Sequence, residues 1–354
     1  PRLDVLRGWM QVSIFVSHVA GTSLSWFIHA AWGLSDSSEQ FLFLSGLALG
    51  SVFTLKAARD GFATAGRDML LRVRRLYLIH LSVVAVFAAL VFLAATGLHL
   101  PGEVDRMGWR FLADAPAAAV GGLLLMLYQP DFTGILPIFI WCMLLLPGFA
   151  WLSGRVGAWA LLPSVALYLA VQIFGAQVPG LGGTPLAFNP LAWQVLFMLG
   201  AWCGRQGLLT GRVLPPQRWL TAAAIGVLAL GFYARLVGHG VLPHLGLGAE
   251  LLENKTDLAP MRLLHALALA WVVARLVPRD AGWMHGRIGA ALAAIGRNSL
   301  LVFSLGLFLS WGASTALRLH PETDALVLLG GGLPPRDLDA AAGRALRPRL
   351  GPPP

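Results

Sequence analysis

The sequence predicts an all-α protein, a polytopic integral membrane bundle of about nine to ten transmembrane helices. Of its 354 residues, 57% are hydrophobic and only 12% are charged, whereas soluble domains contain about 25% charged residues. Apolar runs of roughly 20 residues recur along the chain, and each is long enough to cross a hydrocarbon core of about 30 Å. Because backbone groups in lipid must be hydrogen-bonded internally, we expect these runs to be helices.

The apolar runs predict crossings at residues 5–28, 38–57, 76–97, 134–153, 156–175, 189–206, 219–238, 260–277 and 292–317. A shorter stretch at 115–128 is bounded by prolines, and we expect it to be re-entrant or to lie at the membrane interface. The chain starts with Pro1 rather than Met, so we expect a few residues to precede it. The first run is too polar at its start for a cleaved signal peptide and should remain in the mature protein.

The first run carries polar residues that hydrocarbon should exclude: Asp4, Arg7, Gln11 and His18. On a helix, Arg7 and His18 point the same way and lie about 16 Å apart along the axis. Because a charge at the bilayer centre costs about 2.5 to 3.5 kcal/mol, this stripe predicts a polar cavity. His18 is a candidate general base, and the alternative is a histidine held by an interhelical hydrogen bond.

The basic residues cluster between the apolar runs, which accounts for the net charge of +9 by topology and not by nucleic-acid binding. Residues 56–77 contain six of them and are predicted to form a cytoplasmic loop. Within this loop Arg72, Arg74 and Arg75 precede the third crossing. They either orient the helix or bind an anionic cofactor such as the phosphates of coenzyme A.

Acidic residues lie at the opposite ends of the predicted crossings. Asp36 and Glu39 begin the second crossing in "GLSDSSEQFLFLSG". Asp36 is expected to cap the helix, whereas Glu39 is a candidate for orienting a histidine or a sugar hydroxyl. In "ENKTDLAPMRLLH", Lys255 either pairs with a neighbouring acid, Glu253 or Asp257, or binds an acidic acyl group, and Arg262 follows in the next crossing.

Two features lie outside this pattern. Residues 320–354 are rich in Pro, Gly and Arg and are predicted to be a disordered or aberrant tail after a membrane domain of residues 1–319. The two cysteines, Cys142 and Cys203, lie within apolar runs without metal-ligand spacing, so the sequence predicts neither a disulfide framework nor a metal site.

Seven ordered motifs resemble the OpgC family of integral membrane proteins over residues 2 to about 310. They are "RLDVLRG" followed by His18, "GLSDSSEQFLFLSG", "RRLYLIH", "LPIFIWCMLLLP", "FNPLAWQVLFMLGAW", "NKTDLAPMRLLHALALAW" and "IGRNSLLVFSLG". The family is similar to the larger acyltransferase family 3, whose first helix carries an Arg, ten intervening residues and a His, as Arg7 and His18 do here. The resemblance implies a protein of the bacterial inner membrane with about ten crossings.

The resemblance also implies an activity: succinyl transfer from a coenzyme A thioester to hydroxyls of osmoregulated periplasmic glucans. It makes His18 the catalytic base and Arg7 a second essential residue, and it does not set the roles of the other charged residues in the matching motifs. From their own chemistry we expect Glu39 to be a further catalytic candidate. On the same ground Arg72, Arg74 and Arg75 are candidates for donor binding, and Asp36, Lys255 and Arg262 are candidates for substrate binding. The acyl-CoA is a substrate, and the resemblance implies no permanently bound cofactor.

Three functions remain open from the sequence. An acyltransferase would use His18 to deprotonate the acceptor hydroxyl, or would form an acyl-histidine first. A transporter or exporter of an envelope glycan or acyl precursor would also bury ionisable residues, but no inverted repeat is visible. The third possibility is a structural or assembly subunit without catalysis.

Overall fold

A computed structural model describes residues 2–19, 22–100, 102–211, 217–243, 252–278 and 280–319. Within these ranges the regular secondary structure consists of α-helices and short 3₁₀ helices, without strands, which confirms the all-α class. The predicted tail at 320–354 lies outside the described residues.

The α-helices define the order of the bundle. Their bounds are α1 Arg2–Ser17, α2 Ser37–Asp60, α3 Phe62–Gly97, α4 Glu103–Arg106, α5 Arg110–Asp114, α6 Pro116–Leu124, α7 Ile135–Val156, α8 Leu162–Phe174, α9 Pro190–Thr210, α10 Arg218–Gly238, α11 Pro260–Leu276, α12 Arg287–Arg297 and α13 Ser299–Leu319.

Five helical runs in the described part of the chain are long and apolar enough to cross a membrane. They are Ser37–Asp60, Phe62–Gly97, Ile135–Phe174, Arg218–Gly238 and Ser299–Leu319. The chain is therefore a membrane protein, but the predicted count of nine to ten crossings is not confirmed. The run Ile135–Phe174 contains two of the predicted crossings, separated by a 3₁₀ turn that begins at Gly157, where φ is +61°.

Three predictions about the helices were wrong. The first helix does not extend to residue 28, because α1 ends at Ser17 and two 3₁₀ turns follow, Ser23–Phe27 and His29–Ala31. The basic segment at 56–77 is helical rather than a loop, broken only at Gly61 between α2 and α3. The last predicted crossing is interrupted at Asn298, between α12 and α13.

The helices α2 and α9 pack in close backbone contact. A Cβ atom at Gly46 would collide with the backbone of Phe197, and one at Gly204 would collide with the backbone of Leu47. The small-residue spacing of "GLALG" therefore allows the two backbones to touch, as such pairs do in membrane helices. Around this contact lies the main apolar core, whose fully buried members include Leu42, Ile138 and Trp193.

A second apolar core packs α3 against the short helices α4 to α6 and against α13. Its buried members include Phe87, Trp109 and Phe303. The helix α6 has nine residues, about 14 Å in length, and is too short to cross the membrane. These two cores position the ends of α1, α2 and α11, where the predicted site residues meet.

Candidate active site

The site begins at the N-terminus of α2, where the sequence "SDSSE" forms a capping box. The Asp36 side chain accepts a hydrogen bond from the Ser38 N–H at 2.7 Å, and Glu39 Oε2 accepts one from the Asp36 N–H at 2.9 Å. Asp36 thus satisfies the free backbone donors of the first turn, as an acidic cap is expected to do. The predicted capping role is present, and it is one of two roles that the residue has.

The second role of Asp36 is in a buried ion-pair cluster that also contains Glu39, Lys255 and Arg262. Arg262 Nε donates to Glu39 Oε1 at 2.8 Å, and Arg262 Nη2 reaches both Glu39 Oε1 and Asp36 Oδ2, the latter at 3.3 Å. Lys255 Nζ lies 2.6 Å from Asp36 Oδ2. Four residues predicted separately therefore form one network across α2, α11 and the preceding loop.

Burial makes this network costly to break. Glu39 is completely buried and Arg262 is 4% exposed, and a buried charge is tolerated only when it is paired. Burial opposes the ionisation of Asp36, but Lys255 and Arg262 outweigh that effect and hold the pKa of Asp36 well below its usual value of 3.8. The Asp36 carboxylate is consequently charged at neutral pH.

The loop before α11 fixes the position of Lys255. Asn189 Nδ2 donates to Asp257 Oδ1 at 2.8 Å, and the Trp193 indole donates to the Lys255 carbonyl oxygen at 2.9 Å. The Lys255 side chain lies over the Phe188 ring and is 42% exposed. The described ion pair of Lys255 is with Asp36, not with either acid of its own loop, and the ammonium remains accessible.

His18 lies directly after α1, and its imidazole is oriented by the helix end. The Nδ1 atom is 2.7 Å from the carbonyl oxygen of Ile14. The ring packs against Phe132, with 4.9 Å between the ring centroids. Ser314 of α13 donates to the His18 carbonyl oxygen at 3.0 Å, and the charges of Lys255 and Asp36 act on the ring. His18 therefore lies within electrostatic range of the ion-pair cluster, although no hydrogen bond or ring contact joins the two within the described residues.

Arg7 lies on α1 and lines a cavity of about 1400 Å³ between α1, α2, α9, α10 and α11. Its guanidinium makes no hydrogen bond or ion pair within the described residues. At one end of the cavity are Arg2 and Arg275, and at the other end are Gln40 and His29. Arg7 is thus available to a ligand in the cavity.

The predicted polar stripe of the first helix does not face one cavity. Arg7 lines the large cavity, whereas Gln11 lines a smaller one of about 360 Å³ against α13. His18 is not among the residues that line either of them.

Arg72, Arg74 and Arg75 are exposed on α3, and the structure does not bring them to the cluster. Phe87 of α3 stacks on Phe132, the residue that contacts His18. Because Arg75 precedes Phe87 by twelve residues on a continuous helix, it lies about 18 Å away along the axis. The three arginines are therefore near the opposite end of the bundle.

Sequence reasoning gave no role to the residues that surround the cluster. His265 Nδ1 accepts a hydrogen bond from the Ser35 hydroxyl at 2.7 Å, and Arg235 Nε donates to the Gly33 carbonyl oxygen at 2.9 Å. His265 had a usable signal, since it follows Arg262 by three residues and so shares its helix face. His29 had none, because a single histidine in an aromatic loop matches no motif.

Comparison with known proteins gives a family. A family model described as "OpgC protein" matches residues 1–329. No match was found to a curated protein or to a solved structure. The family match covers most of the chain, including every predicted site residue. The chain therefore belongs to the OpgC family, a membership that suggests a role in the modification of osmoregulated periplasmic glucans.

Proposed function

We propose that the chain is an O-acyltransferase of the bacterial inner membrane, a multi-pass protein similar to acyltransferase family 3. It transfers an acyl group, succinyl from a coenzyme A thioester, to hydroxyls of periplasmic glucans or of another envelope carbohydrate. The observation that carries this proposal is the position of His18 directly after α1, the helix whose Arg7 lines the cavity, with a ring held by Ile14 and Phe132 within range of the charges of Lys255 and Asp36.

His18 has the hydrogen bonding that a general base needs. A carbonyl oxygen can only accept a hydrogen bond, so the 2.7 Å contact with Ile14 puts a proton on Nδ1. The neutral ring then has its lone pair on Nε2, which is the tautomer that removes a proton from a hydroxyl. The Phe132 contact and the Ser314 hydrogen bond restrict the ring and the backbone that carries it.

The donor is proposed to enter through the large cavity and to present its thioester beyond the Gln40 end, near the ion-pair cluster and His18. The cavity walls are mainly apolar, and Arg7, whose charge interacts with Asp4 one turn earlier, offers its guanidinium N–H groups to an anionic or carbonyl group. Arg72, Arg74 and Arg75 remain proposed contacts for the phosphates of coenzyme A at the membrane surface. Their exposure supports this role, because a bulky charged nucleotide binds best where it stays hydrated.

The ion-pair cluster is proposed to bind the acyl or acceptor end of the substrates. An ammonium has three donors, so Lys255 can bind a succinyl carboxylate while it remains paired with Asp36. Glu39 has both oxygens occupied, by Arg262 and by the Asp36 N–H. We therefore propose that Glu39 acts through Arg262 and Asp36, which it positions, rather than on the substrate itself.

The test compares periplasmic glucans from cells with and without the gene by mass spectrometry. A succinyl mass shift that requires the gene is expected, and the His18→Ala variant should remove it while protein stays in the membrane. The matched control is His285→Ala, since His285 is an exposed histidine paired with Asp280 and should retain full activity. Acylation that persists in His18→Ala would reject the assignment, and substrate uptake without acylated product would favour a transporter.

A further inference from the structure

The loop between α1 and α2 presents an aromatic surface that the mechanism above does not use. Trp26 and Trp32 are 38% and 39% exposed, and their ring centroids are 5.6 Å apart. The exposed residue His239 packs its ring beside both, with centroid distances of 4.8 Å to Trp26 and 6.0 Å to Trp32. We call these three side chains the aromatic platform.

The aromatic platform lies at the end of the bundle that holds the ion-pair cluster. His239 directly follows α10, a helix long enough to cross a membrane. Arg235, one turn earlier on α10, donates to the Gly33 carbonyl oxygen at 2.9 Å, which ties the loop to this helix end. Trp32 precedes Asp36 by four residues, so their Cα atoms are at most about 14 Å apart. The platform is therefore close to the charged end of the candidate site.

The hydrogen bonds of the platform differ from those of a tryptophan belt at a membrane surface. Belt tryptophans place an apolar ring in the membrane and an N–H group toward water. The Trp32 indole N–H instead donates to the Trp26 carbonyl oxygen at 2.7 Å. This bond uses the donor within the protein and restricts the ring, as a preformed binding surface requires.

His239 adds a polar group to the platform. Its Nε2 lies 3.0 Å from the Ala31 carbonyl oxygen. A carbonyl oxygen can only accept a hydrogen bond, so the proton of the neutral ring is on Nε2 and the lone pair is on Nδ1. Nδ1 makes no hydrogen bond within the described residues. The platform thus combines aromatic carbon with an unused acceptor, which matches a ligand that has both C–H and O–H groups.

We propose that the aromatic platform binds a glucose unit of the glucan acceptor, other than the unit that is acylated. This inference rests on the proposed acyltransferase function and names where its acceptor is held. A pyranose ring has a face of weakly positive C–H groups, which contact the negative faces of aromatic rings. One hydroxyl at the edge of the sugar donates to His239 Nδ1. Because the platform is close to Asp36, a polymer held there supplies its neighbouring hydroxyls to the candidate site.

The decisive variants replace both tryptophans, by leucine (Trp26→Leu with Trp32→Leu) or by phenylalanine (Trp26→Phe with Trp32→Phe). Leucine keeps apolar volume but has no aromatic face, so the leucine pair should raise KM for purified glucan about 5- to 100-fold with little change in kcat. The phenylalanine pair keeps the aromatic faces and should restore most of the affinity. For methyl glucoside, a single sugar ring without a second unit to bind, kcat/KM should be unchanged in both pairs.

The matched control is Trp159→Leu. Trp159 is 71% exposed and lies in the 3₁₀ turn that follows α7. Gly134, at the other end of α7, lies against Phe188, the ring under Lys255. Because α7 has 22 residues, it separates Trp159 from that end of the bundle by about 33 Å. The control should therefore keep the wild-type KM for glucan.

The outcomes separate this inference from the proposed function. The same glucan KM in the leucine and phenylalanine pairs, or equal losses for glucan and methyl glucoside, would overturn the inference and leave the acyltransferase intact. An unchanged KM with less protein in the membrane would also overturn it and would identify the tryptophans as membrane anchors. If the wild-type protein transfers no acyl group, calorimetric titration with glucan still decides: binding that the leucine pair loses would support the platform, and absence of binding would reject it.

Discussion

Glu39 and Glu103 are both buried carboxylates, and their surroundings differ in one respect. Glu39 accepts from Arg262 and lies beside Asp36, which pairs with an accessible Lys255, and beside Gln40, which lines the large cavity. Glu103 accepts from three residues: Arg106, Trp311 at 2.7 Å and Arg318 at 2.8 Å. Glu103 lines neither cavity, and its hydrogen bonds join α4 to α13.

The comparison teaches that a buried, paired carboxylate does not by itself identify a site. Each network satisfies its own charges, as buried ion pairs must. What distinguishes the region around Glu39 is that its ion-pair cluster contains a polar group that remains accessible, the Lys255 ammonium. We therefore expect the Glu39 network to affect both stability and activity, and the Glu103 network to affect stability alone.

The largest effect is expected from Arg262→Leu. The substitution leaves Glu39 and Asp36 buried without their shared cation, which typically costs about 3 to 5 kcal/mol. The free energy of unfolding in detergent, measured by denaturant titration, gives the loss. Arg110→Leu is the control, because Arg110 is 65% exposed and surface pairs contribute about 0 to 1 kcal/mol. Equal losses of unfolding free energy in the two variants would contradict the description of the cluster as buried and mutually stabilised.

Next in size is the effect of Lys255→Met on substrate choice. A hydrogen bond to a charged group contributes about 1.5 to 3 kcal/mol, so kcat/KM for a succinyl donor should fall about 10- to 100-fold. The value for an acetyl donor, which has no second carboxylate, should change little. Steady-state kinetics with both donors gives the two kcat/KM values. An equal loss of kcat/KM for both donors would show that Lys255 does not bind the acyl carboxylate.

A smaller effect, on stability only, is expected from Glu103→Gln. The neutral amide keeps the shape of the side chain but weakens the hydrogen bonds from Arg106 and Arg318, at a cost of about 1 to 3 kcal/mol. Activity per folded molecule should equal that of the wild type. Kinetics normalised to folded protein, determined alongside the Tm, separate the two quantities. A loss of specific activity would link α13 to the site.

The smallest effect is a pH dependence of stability, which the wild-type protein should show and Glu103→Gln should lack. Burial favours the neutral acid at Glu103, but the hydrogen bonds from Arg106, Arg318 and Trp311 outweigh it and lower its pKa from 4.5 to about 2. The contribution of the carboxylate is therefore complete above pH 4.5 and is lost as pH falls toward 2. The Tm difference between wild type and Glu103→Gln should shrink over that interval, and a constant difference would contradict the assignment.

Much of the site was predictable from local patterns, and its connections were not. "SDSSE" predicts a helix start, and the acidic and basic residues at the ends of apolar runs are each conspicuous. That Lys255 pairs with Asp36 rather than with an acid of its own loop depends on how α11 packs beside α2. The same applies to Arg7 and His18, which share a predicted helix face but have different surroundings, the large cavity for Arg7 and Phe132 for His18.

The sequence alone determined that the chain is a helical membrane protein, which charged residues lie within or beside its apolar segments, and the family to which it belongs. These properties follow from composition, from helical periodicity and from short motifs, all of which are local. Only the tertiary structure decided where α1 stops, which charges neutralise one another, and that His29 lies at the end of a cavity. Those outcomes depend on contacts between residues more than 200 positions apart, such as Glu39 and Arg262. Contacts of this kind cannot be predicted from the periodicity of the sequence.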